Sequence, residues 1–226
     1  MITPPKNIDL KKNGIYIALE GIKGCGKSTI VNRIYRDLIE SGIKTAMVAP
    51  TRVGKKLSFY EIVSRYFSVI RKIDKWNELL YARRSNNSIN LIKGDEMILL
   101  GDRSIMTSYV YRWKKWSNYR ICVERVNNLE NNIPSPDHIL FLDIDPIEAL
   151  RRIKLREKRD KCYREETIER LTESYKNYLE VMNSRIEKLN NTKIHFINAN
   201  QPLEMVYNDV QNKFSEIINI FQRKSA

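Results

Sequence analysis

The chain has 226 residues, 42% of them hydrophobic, enough for one α/β domain with a buried core. No apolar run reaches membrane-spanning length, and three widely spaced cysteines (Cys25, Cys122, Cys162) do not form a disulfide framework. Lys and Arg outnumber Asp and Glu by 40 to 27, and the net charge of +13 suits an anionic partner.

Residues 1–12 read as a flexible polar extension with no apolar stretch of the kind a secretory leader needs. Free thiols fit a reducing compartment, so the expected location is cytoplasmic. With only two histidines, His138 and His195, and no Cys/His cluster, a structural zinc site is not expected. Residues 13–226 contain no repeat or low-complexity linker and read as a single domain.

Residues 14–19 read as a buried strand that feeds the loop Gly21-Ile22-Lys23-Gly24-Cys25-Gly26-Lys27-Ser28-Thr29. From Gly21 to Ser28 this loop fits G-x-x-x-x-G-K-[ST]. Its three glycines let backbone N–H groups turn inward with no Cβ in the way, which makes a concave anion seat. Lys27 is placed for the outer phosphates and the Ser28 hydroxyl for Mg²⁺. Ile30, Val31, Ile34, Tyr35, Leu38 and Ile39 then recur at helical spacing, and Gly42 stands where a helix C-terminal glycine belongs. Strand, glycine loop and helix in that order put phosphates on a helix N-terminus.

A second strand over residues 44–49 ends in a basic loop containing Arg52. Helical stripes follow over 62–70 and 75–93. A third strand over 97–100 leads to Asp102-Arg103-Ser104, and residues 108–116 are aromatic and basic. A polar, Asn-rich stretch reaches Pro134 and Pro136. Residues 138–143 form an apolar fourth strand ending in Asp143. Helices from Pro146 and over 167–188, a fifth strand over 193–198 and a final helix over 202–221 complete the chain. This alternation predicts a doubly wound parallel sheet flanked by helices on both faces, with ligands beyond the carboxyl ends of its strands. The phosphate loop, Arg52, Asp102, Arg103 and Asp143 all follow strand ends and should converge there.

A carboxylate after the third strand can hold Mg²⁺, and Asp102 is preferred to Asp143 because Arg103 beside it suits a second phosphate. Arg84 shares a helix face with Leu80 and Leu91, so its guanidinium calls for an anion. Residues 151–164 carry eight positive charges against Glu157 and Asp160. Such a segment can be a solvated face, or a basic lid that brings charge over a transferring phosphoryl group and excludes water.

Several of these motifs together resemble the thymidylate kinase family of P-loop kinases: residues 20–29, Leu80-Tyr81-Ala82-Arg83-Arg84, Gly101-Asp102-Arg103, Pro136-Asp137, the basic segment, and Tyr178-Leu179-Glu180. The resemblance spans residues 14–221 and implies phosphorylation of dTMP to dTDP with ATP and Mg²⁺. It implies that Lys27 and Arg103 stabilise the transferring phosphoryl, and that Asp102 orients metal or phosphate. Arg52 and Arg103 would grip the acceptor phosphate, with Arg84, Leu80, Thr107 and Tyr111 around the acceptor. Arg156, Arg159 and Arg164 would close over ATP, and the family implies a homodimer.

Four departures from the family's usual pattern stand out. Lys23 and Cys25 stand within the phosphate loop, and Leu80 replaces a phenylalanine. Val53-Gly54-Lys55-Lys56 follows Arg52, and Arg112 replaces a glutamine. Two other readings stay open: a deoxynucleoside kinase, favoured by Ser104 after Arg103, and a non-catalytic P-loop protein that binds nucleic acid. Concentration of the excess charge in one segment argues against the latter.

Overall fold

A computed structural model describes residues 14–48, 74–89, 92, 97–113, 118–131, 133–157 and 166–225. The N-terminal extension, Arg52 and its loop, the stripe over 62–70, Arg159 and Arg164 lie outside the described residues. The described strands are β1 (Ile15–Glu20), β2 (Thr45–Val48), β3 (Ile98–Asp102), β4 (His138–Asp143) and β5 (Lys193–Asn198). The described helices are α1 (Lys27–Glu40), α2 (Asp74–Ile89), α3 (Ile105–Arg112) and α4 (Tyr119–Leu129), then α5 (Pro146–Glu157), α6 (Ile168–Asn183) and α7 (Leu203–Ser225).

All five strands run parallel in the order β2-β3-β1-β4-β5, the expected sheet. β1 lies at its centre, and every one of its residues is buried. That position explains its unbroken apolar run up to Glu20, because a central parallel strand is covered on both faces. β4 is buried from Ile139 to Leu142 for the same reason. The amphipathic α1 turns Ile30, Val31 and Ile34 into the core, and α6 contributes Leu171, Tyr178 and Val181.

Register then places the polar ends of the strands. Leu19 pairs with Asp102, Glu20 with Phe141, and Asp143 with Asn198. The carboxyl edge of the sheet therefore carries Glu20, Asp102 and Asp143 on adjacent strands.

Three differences from the sequence reading stand out. β3 runs on to Asp102, so this carboxylate is the last strand residue and does not follow the strand. The helix expected to reach residue 188 stops at Asn183, and a separate 3₁₀ turn covers Glu187–Leu189. α4 occupies the stretch read as polar: the Asn118 side chain caps its N-terminus, and Cys122 and Val126, four residues apart, are its buried contacts.

Candidate active site

The phosphate loop leaves β1 at Gly21 and enters α1 at Lys27. Gly24 has φ +93, and a Cβ there would meet the Ala149 carbonyl oxygen at 2.6 Å. Only glycine combines that backbone with so close an approach to α5. Lys27 is buried, and its Nζ donates to the carbonyls of Gly21 (2.6 Å) and Ile22 (2.8 Å) and contacts Cys25 Sγ at 3.2 Å. Burial lowers the ammonium pKa below the usual lysine range, the Cys25 sulfur opposes that shift, and Arg103 adds to it. A phosphate entering the loop would favour the charged form.

Arg103 follows β3 with φ 81, the left-handed region that non-glycine residues rarely occupy. Its guanidinium Nη1 lies 3.5 Å from Thr107 Oγ1 and 3.4 Å from the Tyr178 hydroxyl, and its Cζ lies 5.7 Å from the centre of the Tyr111 ring. Glu20 lies beneath this group, fully buried. One carboxylate oxygen accepts from the Ser104 N–H and hydroxyl, both at 2.7 Å. The other accepts from Thr107 (2.7 Å) and Tyr178 (2.9 Å). Burial, reinforced by Glu20, pushes the Tyr178 phenol well above its usual pKa, so it remains a proton donor.

A cavity of about 1210 Å³ opens above the loop. Lys23, Lys27, Arg103, Arg151, Arg152 and Arg156 line it, with Glu148 and Glu166 as the acidic lining residues. Both carboxylates are engaged. Glu148 accepts from Arg151 and Arg152, whose hydrogen bonds and then charges hold its carboxyl down at about 2, and Glu166 pairs with Lys23 at 2.9 Å. The cleft is thus a positive concavity over a helix N-terminus, a seat for polyphosphate.

Gly24, Gly26, Ser28, Thr29 and Tyr111 also line this cavity, which brings the loop, Arg103, Tyr111 and Arg156 together, whereas Asp102 and Asp143, expected at the same cleft, do not line it. Gly21 and Ile22 supply the carbonyls that hold Lys27, and Cys25 is buried. Asp102 is buried at the end of β3. Its rival Asp143 accepts a hydrogen bond from Tyr175 at 2.8 Å; burial first, and then that bond, raise the phenol's pKa to about 12. Thr107 is buried against Glu20, Leu80 is buried on α2, and Arg84 is half-buried there. Neither α2 residue lines the cavity.

Sequence reasoning quoted Glu20 and Tyr178 only within family motifs, without a role, and missed the edge formed by Asn200, Gln201, Pro202 and Leu203, where β5 passes into α7. A strand end next to the phosphate loop was the available signal for that edge. Glu20 gave none, because its partners lie 84 to 158 residues away.

A family model described as thymidylate kinase matches residues 19–210. The chain is similar to the thymidylate kinase of Finegoldia magna, 28% identical over 94% of this chain and 100% of that protein. It is 29% identical to that of Haemophilus ducreyi, over 92% of this chain and 97% of the relative. The Legionella pneumophila thymidylate kinase is also 29% identical, over 91% and 96% respectively. The matched region spans the phosphate loop, Arg103, the basic helix α5 and the β5 edge that together form one cleft, and the chain belongs to the thymidylate kinase family.

Proposed function

We propose that this protein transfers the γ-phosphoryl group of MgATP to the 5′-phosphate of dTMP, giving dTDP and ADP. The observation that carries the reading is the family match over residues 19–210, centred on a cleft that joins the phosphate loop to Arg103. Loop N–H groups and Lys27 hold the β- and γ-phosphates. Arg103 faces the incoming acceptor phosphate, and Arg156 approaches from the end of α5. An oxygen of the dTMP phosphate attacks the γ-phosphorus in line as the bond to the ADP oxygen breaks. Catalysis is positioning and charge stabilisation, with no covalent enzyme intermediate.

Magnesium fits here as part of the nucleotide substrate. Among the described residues no group of three His, Cys, Asp or Glu side chains could cage a metal ion. One hydroxyl, Ser28, and one carboxylate, Asp102, suit an ion that brings its phosphate and water ligands with it. The adenine then reaches the edge formed by Asn200 to Leu203, and Tyr111, with Leu80, Arg84 and Arg52, belongs to the acceptor side. Family resemblance also supports a homodimer, which sedimentation equilibrium tests. No helix among the described residues is long and apolar enough to cross a membrane.

Ser104, the residue that favoured a nucleoside acceptor, is buried, donates to Glu20 and caps α3. Its presence is therefore explained by folding. Lys27→Ala should abolish ADP formation from MgATP and dTMP while circular dichroism stays that of the parent. Normal turnover by that variant would overturn the reading.

A further inference from the structure

Glu20 is the one fully buried carboxylate at the carboxyl edge of the central strand among the described residues, and it does not line the cleft. A buried carboxylate is costly unless its lone pairs are used, and here four donors use them. Those donors surround one residue. Ser104 N–H, bound to Glu20, follows Arg103 directly, and the Arg103 N–H itself donates to the Leu19 carbonyl at 3.1 Å. The left-handed turn at Arg103 is therefore pinned on both sides to the end of β1.

The side-chain arm of the network has a direction. Thr107 and Tyr178 each donate a hydroxyl hydrogen bond to Glu20, and their oxygens also lie 3.2 Å from one another. Their lone pairs are then left for Arg103 Nη1, at 3.5 and 3.4 Å. The negative charge of Glu20 is relayed through two oriented hydroxyls and holds the guanidinium from below, while Arg103 still lines the cleft.

We propose that Glu20, acting through Thr107 and Tyr178, is a positioning residue for phosphoryl transfer, setting both the backbone and the guanidinium of Arg103. This rests on the kinase reading above. Glu20 touches no reacting atom; it determines where Arg103 stands when charge develops on the transferring group.

Glu20→Gln would place an amide donor among four donors and could prevent folding, so the test uses the two hydroxyls. Thr107→Val and Tyr178→Phe keep the shape of the side chains and remove the relay, and Thr107→Ser preserves it. With MgATP and dTMP, each hydroxyl deletion should lower kcat roughly tenfold, the cost of a lost hydrogen bond to a charged partner, with KM for ATP unchanged. Thr107→Ser should restore the parent rate. The second readout needs no substrate: the Arg103 Nε–H resonance, assigned by its loss in Arg103→Lys. It should move toward the free-arginine position and exchange faster in Thr107→Val/Tyr178→Phe, and stay in place in Thr107→Ser. An unmoved Arg103 resonance in the double variant, or parent-like kcat in both single variants, overturns the proposal. Failure of the parent protein to phosphorylate dTMP would instead overturn the kinase reading, and the resonance would still decide the positioning claim.

Discussion

Lys23 of the phosphate loop and Glu166, just beyond the basic segment, meet at 2.9 Å with each side chain about one-fifth exposed (23% and 20%). The pair places a carboxylate at the rim of a cleft built for phosphates, where it neutralises one of the lining cations. Removing the carboxylate as Glu166→Gln takes one negative charge away from the rim of the nucleotide cleft. A partly exposed pair is worth up to about 1 kcal/mol, so the ATP dissociation constant should fall by roughly two- to fivefold. Titration calorimetry checks this, and the gain should shrink as salt rises. Weaker ATP binding by Glu166→Gln would contradict the account.

Gly24 supports a prediction on geometry alone. Alanine there would meet the Ala149 carbonyl at 2.6 Å and Ile153 at 3.1 Å, in a left-handed backbone. The backbone penalty is about 1–2 kcal/mol before any clash. Gly24→Ala should lower the urea midpoint and abolish measurable ATP binding, because the loop must move away from α5. ATP affinity equal to the parent's would show that the loop relaxes without cost.

Arg112 anchors a buried network. It donates to Glu130 at 2.9 Å and to the Glu78 carbonyl at 3.2 Å; Ser108 also donates to Glu130, and Arg125 pairs with Glu78. Glu130 is fully buried, so Arg112→Gln strands a carboxylate in the interior and should cost about 3–5 kcal/mol of stability. Adding Glu130→Gln should recover part of that loss in chemical denaturation. Parent-like stability of the single variant would show that the pair is dispensable.

These cases show what could be read from the chain and what could not. Strand, loop and α1 were legible because glycine spacing and apolar periodicity are local. β4 and β5 were found at their observed limits because both read as short runs between clear breaks. Arg112 showed as a departure from a family pattern, yet its reason lay in Glu130 and Glu78, which only packing brings together. Glu20 was grouped with the phosphate loop and given no role of its own, since its donors Ser104, Thr107 and Tyr178 arrive from the turn after β3, from α3 and from α6. α4 escaped because two buried residues, Cys122 and Val126, make too narrow a stripe to show through its asparagines.

His138 and His195 on β4 and β5 stack with ring nitrogens 2.9 Å apart, a spacing that suits one shared proton. Burial lowers the His195 pKa below the usual histidine value, Lys213 and Lys193 lower it further, and Glu216 opposes them. The folded state thus binds a proton less readily than the unfolded chain. The stabilisation is present above about pH 6.5 and is lost as pH falls below that value. The urea midpoint should drop between pH 7.5 and 5.5, and His195→Gln should flatten part of that slope. An identical slope in parent and variant would remove the histidine pair from the account.

The most direct test of the central claim is ADP formation from MgATP with dTMP, dUMP, dCMP, UMP and thymidine offered separately. The account predicts fastest turnover with dTMP and little with thymidine, which lacks the phosphate that Arg103 is proposed to receive. Thymidine turned over as well as dTMP, or no acceptor turned over at all, would contradict it.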